Sequence, residues 1–213
     1  MNAIYKNLYQ FTTYIPPMDF TIHEYLLASE PSILFATGTV QQATAILPEI
    51  QEILAGRSLK YIFVSHMESD ECGGLSVFQQ AYPDVQVICS GLTARELPGY
   101  GFACKTLAVS GGKSITDGEL DLRIFDYPSE VHLQNGIVCF EQNSGIFYSA
   151  DLMLRYGSGG SQIIDRRWIE EVEAIDFARV PNREKASELK AALAGINPKF
   201  IAVGHGFCVM CRS

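Results

Sequence analysis

The 213-residue sequence predicts an α/β fold in which two β-sheets pack face to face between outer layers of helices, a four-layer αββα sandwich. Strand-like segments come in clusters, and a helix-like segment follows each cluster. Apolar residues make up 47% of the chain, which is enough to bury a substantial core. The sequence contains no strong internal repeat. We therefore expect a single domain over residues 1–213.

The predicted strands share runs of aliphatic, aromatic and β-branched residues that end at turn residues. They cover residues 4–14 (an edge strand or hairpin), 21–27, 32–36, 61–64, 85–89, 105–109, 120–127, 136–140, 145–149 and 200–203. Pro16 and Pro17 end the first of these, because proline cannot donate a hydrogen bond to a sheet.

The predicted helices repeat apolar residues at spacings of three and four. They cover residues 40–55, 75–82, a short segment at 93–97, and residues 165–178 and 182–194. Gly56 and Gly195 follow the first and last of these helices, where glycine commonly ends a helix. Residues 157–161, Gly-Ser-Gly-Gly-Ser, indicate a loop.

Charge and hydropathy exclude several classes of protein. The net charge is -8 and no basic run is longer than Arg166-Arg167, so we expect no binding to nucleic acid or to an anionic membrane. Residues 1–20 lack the continuous apolar stretch of a signal peptide, and no segment approaches the length of a membrane span. These features predict a cytoplasmic protein.

The six cysteines indicate reduced thiols, since the sequence shows no secretory signal. Cys208 and Cys211 form the only close pair. A redox dithiol or half of a metal site would be consistent with that spacing, but no second pair accompanies it, which favours a structural or incidental role.

The segment from Val64 to Leu75 has the highest density of possible metal ligands. His66, Glu68 and Asp70 alternate along it, directly after the apolar run 61–64. In an extended backbone the three side chains would point to one side, which suits the binding of one or two cations. The alternative is a solvated acidic loop before a helix, with Asp70 as the N-cap.

Polar residues of the same type follow two other strands. Asp151 comes after strand 145–149, and His205 comes after strand 200–203. His132 lies in a loop between two strands, just before the turn at Asn135-Gly136. Any one of these residues alone would be an ordinary turn or hydrogen-bonding residue. Because strand ends converge at one edge of a sheet, their joint occurrence with His66 favours a metal site.

The ordered set of six residues resembles a known family. Its members are His66, Glu68, Asp70, His132, Asp151 and His205. The set is similar to that of the metallo-β-lactamase superfamily, specifically the flavodiiron branch of O2 and NO reductases together with the flavin-less oxygen-binding diiron proteins. The resemblance covers essentially the whole chain, including residues 25–27 and 35–39. It implies that His66, Glu68 and His132 hold one iron ion, that Asp70 and His205 hold the other, and that Asp151 bridges the two.

Two residues depart from the superfamily pattern, Glu71 and Thr37; Thr37 stands where many relatives have an aspartate that supports the site without being a ligand. Glu71 follows Asp70 where relatives often have histidine, so the second ion is either bound by few ligands or bound by Glu71. Glu68 stands where the zinc hydrolases have an imidazole. More anionic oxygen donors favour iron or manganese, although zinc stays open because affinity alone prefers it to Fe(II).

The resemblance implies a dinuclear iron protein that binds O2 or NO, either as a sensor or as an oxidoreductase. The sequence ends at Ser213, soon after His205. We therefore expect no flavodoxin-like domain and no FMN, so that reduction needs an external electron donor and sensing needs a signalling partner. Relatives pair head to tail, which implies a homodimer. The alternative is a dinuclear zinc hydrolase that attacks an ester, lactam or phosphodiester through a bridging hydroxide. We interpret His23 as a hydrogen-bonded strand residue rather than a proton donor.

Overall fold

Two β-sheets form the centre of the computed structural model, which describes residues 3–127, 136–176 and 178–212. The first sheet has the order β1-β2-β3-β4-β5-β6. Its strands are β1 (Leu8–Ile15), β2 (Phe20–Leu27), β3 (Ser32–Phe35), β4 (Leu59–Phe63), β5 (Gln86–Ser90) and β6 (Lys105–Val109). β1, β2 and β3 pair in antiparallel orientation, whereas β3 to β6 pair in parallel, so β3 takes part in both arrangements.

The second sheet contains the remaining strands of the described residues. They are β7 (Ser114–Asp117), β8 (Leu120–Tyr127), β9 (Gly136–Glu141), β10 (Ile146–Ala150), β11 (Ile163–Arg167), β12 (Phe200–Val203) and β13 (Cys208–Arg212). Their order is β11-β13-β12-β10-β9-β8-β7. β10 and β12 are parallel neighbours, so their carboxyl ends lie side by side.

Helices cover the outer faces of the two sheets. They are α1 (Val40–Leu54), α2 (Ser69–Cys72), α3 (Leu75–Ala81), α4 (Gly91–Glu96), α5 (Trp168–Glu173) and α6 (Arg183–Ala194). Short 3-10 turns occur at Pro16–Met18, Leu97–Tyr100 and Asp151–Met153. No helix among the residues described is long and apolar enough to cross a membrane.

Alternation along the strands divides the core into three layers, one between the sheets and one beneath the helices on each outer side. In β3, Leu34 belongs to the buried cluster that contains Ile50 of α1, whereas its neighbour Phe35 belongs to the cluster between the sheets. In β10, the Tyr148 ring lies 5.1 Å from that of Phe35, and the Phe147 ring lies 5.0 Å from that of Trp168 in α5. Successive strand residues thus face opposite sides. The predicted four-layer αββα fold is confirmed.

The structure differs from the predicted elements mainly at the edges of the second sheet. Strands β7, β11 and β13 were not predicted, and the helix expected over residues 165–178 begins only at Trp168. Residues Ile163–Arg167 instead pair in parallel with Cys208–Arg212. The edge strand Ile163–Arg167 has three charged residues among its five, so its apolar pattern is too weak to identify it locally. The pairing depends on contacts between distant parts of the chain.

Candidate metal centre

The candidate ligands come from the carboxyl ends of three strands. His66 follows β4 of the first sheet, while Asp151 follows β10 and His205 follows β12 of the second. The two sheets are joined at this point, because the backbone nitrogen of Ile137 in β9 donates a hydrogen bond to the carbonyl oxygen of Ser65 at 3.0 Å. Side chains that leave the strands here converge between the sheets.

Asp151 lies between the two imidazoles. Its Oδ1 is 3.0 Å from Nε2 of His205, and its Oδ2 is 3.6 Å from Nε2 of His66. Each carboxylate oxygen therefore faces a different histidine. This arrangement is the one that a carboxylate needs in order to bridge two cations.

Glu68 and Asp70 each lie beside a different one of the two imidazoles. Glu68 Oε1 is 3.8 Å from Nε2 of His66, and Asp70 Oδ2 is 3.6 Å from Nε2 of His205. The donor atoms of His66, Glu68 and Asp151 all lie within 4.8 Å of one another. Five of the six predicted residues thus come together, and their hard oxygen and imidazole donors fit an iron or zinc ion.

The local backbone differs from the extended segment expected for the alternating residues. Glu68 is extended and caps α2, whereas Asp70 lies in the first turn of that helix. The turn is held by the loop before α1, where the backbone nitrogen of Gly38 donates to the carbonyl oxygen of Asp70 at 2.8 Å. Asp70 is turned toward His205 by this helix rather than by strand alternation.

Hydrogen bonds set the orientation of His205. Its Nδ1 lies 2.7 Å from the carbonyl oxygen of Thr21. A carbonyl oxygen only accepts, so Nδ1 carries the proton and Nε2 is left to face the carboxylates. The ring also stacks on Phe20, with the ring centroids 4.3 Å apart. A fixed second nitrogen of this kind is typical of histidines that bind metals.

His132 lies outside the described residues, but both neighbouring ends of the described chain lie against His66. The ring of Tyr127 is 6.3 Å from the ring of His66. A Cβ atom at Gly136 would lie 3.2 Å from the Cβ of His66. The described chain therefore lies beside the site at Tyr127 and again at Gly136.

The surrounding carboxylates make the site electronegative. Burial alone would lower the pKa of His66, but the nearby carboxylates of Glu68, Glu71 and Asp151 raise it to about 9. Burial alone would raise the pKa of the Asp151 carboxyl, but His205 and His66 bring it below its usual range. Positive charge is thus favoured at the position between these side chains.

Glu71 is not turned toward the cluster. Its Oε1 accepts a hydrogen bond from the hydroxyl of Tyr148 at 2.8 Å, and its Oε2 accepts one from the backbone nitrogen of Ser65 at 3.2 Å. Burial raises the pKa of this carboxyl to about 7. Both of its oxygens have protein partners, which disfavours the alternative that Glu71 is a ligand.

Glu24 is a further acidic residue near the site that the sequence patterns did not single out. It is 0% exposed, and neither carboxylate oxygen has a hydrogen-bond partner among the described residues. Burial raises the pKa of this carboxyl to about 8, with smaller contributions from Asp70 and Glu71. The signal in the sequence is a charged residue inside the apolar strand 21–27.

His23 and Cys208 are held by hydrogen bonds within the fold. The Nε2 of His23 lies 2.8 Å from the carbonyl oxygen of Gly206, and its Nδ1 lies 2.8 Å from the hydroxyl oxygen of Thr12. Cys208 is buried and its sulfur lies 3.2 Å from the hydroxyl of Tyr25. These contacts agree with structural roles for both residues. Cys211 is three positions farther along the same strand, so the two side chains leave opposite faces of it.

The chain is similar in sequence to known proteins. The family model described as ODP family beta lactamase matches residues 20–206. The rubredoxin-oxygen oxidoreductase of Megalodesulfovibrio gigas is 22% identical over 217 residues, covering 97% of this chain and 54% of that protein. The uncharacterized protein YobT of Bacillus subtilis is 24% identical over 217 residues, covering 95% of this chain and 89% of YobT. The chain thus spans about half the length of the first relative.

A solved structure shows the same fold. The rubredoxin oxygen:oxidoreductase from the anaerobe Desulfovibrio gigas superposes with a TM-score of 0.79 at 18% identity, covering 99% of this chain and 57% of that one. The resemblance to the flavodiiron branch of the metallo-β-lactamase superfamily is confirmed.

Proposed function

The chain belongs to the ODP family of beta lactamases, and on that premise we propose that it is a dinuclear iron protein that binds O2 or NO. The observation that supports this proposal is the set of donors around Asp151. Three carboxylates, from Glu68, Asp70 and Asp151, face two imidazoles at oxygen-to-nitrogen distances of 3.0 to 3.8 Å. Such an anionic set stabilises the higher oxidation state of iron better than an imidazole-rich set does.

Each side chain has a defined task in this proposal. His66, Glu68 and His132 would hold one ion, and Asp70 and His205 would hold the other. Asp151, whose two oxygens face different imidazoles, would be shared between the ions. When bound, a pair of Fe(II) ions supplies the electrons and open positions that O2 or NO requires. Thr21 fixes the ring of His205, and Phe20 covers one face of that ring and limits the access of water.

Glu68 is the most exposed of the candidate ligands that the structure describes. The side chain of Glu68 is 47% exposed, whereas those of His66 and His205 are 7% and 5% exposed. In the proposed centre, a small diatomic ligand would enter at Glu68. The imidazoles of His66 and His205 are shielded from bulk solvent.

The proposal includes an electron donor or a signalling partner. The name of the oxidoreductase relative couples rubredoxin with oxygen, which supports a separate redox protein as the donor. We also propose a cytoplasmic location, supported by six cysteines that are all free thiols. We propose in addition that residues 1–213 form one domain and that two copies form a homodimer, which analytical ultracentrifugation tests.

The direct test is anaerobic loading with Fe(II), removal of unbound iron, and a visible spectrum before and after air or NO is admitted. We expect two irons per chain and a new absorption band that depends on the gas. Asp151→Ala is the control and should show neither. A protein that retains only zinc and shows no change with either gas would contradict the proposal.

Oxygen uptake separates a reductase from a sensor. With a chemical reductant and a rubredoxin-type donor, a reductase consumes many equivalents of O2 per chain, whereas a sensor takes up about one. Turnover of a chromogenic ester or lactam by the zinc-loaded protein, abolished by His132→Ala, would instead favour the hydrolase.

A further inference from the structure

The second cation position has fewer donors than the first among the residues that were predicted to bind metal. It has Asp70 and His205, together with its share of Asp151. The next residue along the chain, Glu71, has one oxygen bound to the hydroxyl of Tyr148 and the other to the backbone of Ser65. The position is thus left without the additional donor that residue 71 would otherwise supply.

Glu24 is the buried acidic group in this region whose oxygens have no protein partner. Its side chain is fully buried in β2, and both Oε1 and Oε2 lack hydrogen-bond partners among the residues described. A buried carboxylate that is unpaired is strongly unfavourable, so such groups are found paired with or coordinating cations, or they carry a proton.

The carboxyl of Glu24 is placed beside the turn that carries Asp70. A Cβ atom at Gly38 would lie 2.3 Å from Oε1 of Glu24, so the carboxyl packs directly against this glycine. The backbone nitrogen of Gly38 in turn donates to the carbonyl oxygen of Asp70 at 2.8 Å. Gly38 has a φ of +67°, a conformation that other residues rarely adopt. A single glycine therefore separates the Glu24 carboxyl from the backbone of Asp70.

Electrostatic coupling supports the same location. Burial first, and then the charges of Asp70 and Glu71, raise the pKa of Glu24, while His205 lowers it. Asp70 and His205 are the two residues assigned to the second ion. Glu24 therefore lies within electrostatic reach of that half of the centre.

We propose that Glu24 is a further carboxylate ligand of the second cation and supplies the donor that Glu71 does not. This inference depends on the proposed function only in requiring a two-ion centre. Gly38 leaves the space that the Glu24 carboxyl occupies, because a Cβ atom there would lie 2.3 Å from Oε1.

Metal stoichiometry tests the inference without reference to activity. Wild type and Glu24→Gln are loaded anaerobically with Fe(II), and separately with Zn²⁺, and bound metal is measured after dialysis against increasing chelator. We expect two ions in the wild type and about one in Glu24→Gln, with the second ion bound about tenfold to a hundredfold more weakly. Glutamine keeps the volume of the side chain and removes its charge.

Glu141→Gln is the matched control. Glu141 is also a buried glutamate, 2% exposed, but it lies in β9 and bonds to the turn that follows. This variant should keep two ions. Circular dichroism establishes that each variant is folded. Should Glu24→Gln not fold, Glu24→Asp keeps the charge on a shorter side chain, and we expect it to weaken the second ion alone.

The possible outcomes separate the two proposals. A wild-type protein that binds fewer than two ions contradicts the proposed function. A wild type that binds two ions, and a folded Glu24 variant that binds two with unchanged affinity, overturns only the role of Glu24.

Discussion

Glu24 and Glu141 are both buried glutamates, but their surroundings differ. Glu141 accepts hydrogen bonds from the backbone nitrogens of Asp121, Asn143 and Ser144, so its charge is balanced by the turn that it stabilises. Glu24 has no such partner in the described part of the chain, and it lies beside Asp70. Hydrogen-bond donors of the protein thus surround the Glu141 carboxylate, whereas the carboxylate of Glu24 has none among the described residues, which is the basis of its proposed role as a ligand. The predictions below test this difference, beginning with the largest effect.

Asp151→Ala should remove both metal ions. Each oxygen of Asp151 faces a different imidazole, so the loss of this one side chain takes a ligand from both positions. We expect bound iron to fall from two ions per chain to nearly none, as measured by mass spectrometry of the metal content. Glu141→Gln, prepared in parallel, should retain both ions. Retention of two ions by Asp151→Ala would show that this residue is not a bridge.

His132→Ala should remove one ion. The described chain lies against His66 on both sides of the segment that contains position 132, at Tyr127 and at Gly136. His23→Gln is the comparison, because both ring nitrogens of His23 are already used in hydrogen bonds. We expect one iron in the first variant and two in the second. Equal metal contents in the two variants would contradict the assignment of His132.

In the metal-free protein, substitution of Glu141 should reduce stability more than substitution of Glu24, the reverse of the order expected for metal content. Glu141→Gln places an amide group against backbone donors and should lower the free energy of unfolding by about 3 kcal/mol. Glu24→Gln removes an unpaired acid and should change it by less than about 1 kcal/mol. Urea unfolding of both variants measures these values. A large loss for Glu24→Gln without metal would indicate that Glu24 has a structural role.

Acid should destabilise the metal-free protein through His23. Burial lowers the pKa of this imidazole to about 4, although the bond to Gly206 opposes the shift and the charge of His205 adds to it. The unfolded chain binds a proton near pH 6.5 and the folded chain does not, so stability falls as the pH decreases from about 6.5 to 4. The raised pKa values of His66, Glu24 and Glu71 act in the opposite direction, so the test is the difference in unfolding free energy between the wild type and His23→Gln. We expect this difference to fall by about 2 kcal/mol between pH 7 and pH 5, measured by urea unfolding. An equal pH dependence of stability in the two proteins would contradict this role of His23.

Most of the fold and of the candidate site was predictable because both depend on local patterns. Apolar runs such as Ile33 to Phe35 identify buried strands, and the first polar residue after each run identifies the candidate ligands. The edge strand at Ile163–Arg167 was not predictable, since its pairing with Cys208–Arg212 joins distant parts of the chain. The position of Glu24 was not predictable for the same reason. Its importance depends on contact with Gly38, which no spacing in the sequence reveals.

Anomalous scattering at the iron edge, from crystals of protein loaded anaerobically with Fe(II), tests the central claim most directly. We predict two peaks, one on each side of Asp151, with the first beside His66 and Glu68 and the second beside Asp70 and His205. A single peak, or peaks away from Asp151, would contradict a dinuclear centre built from these residues.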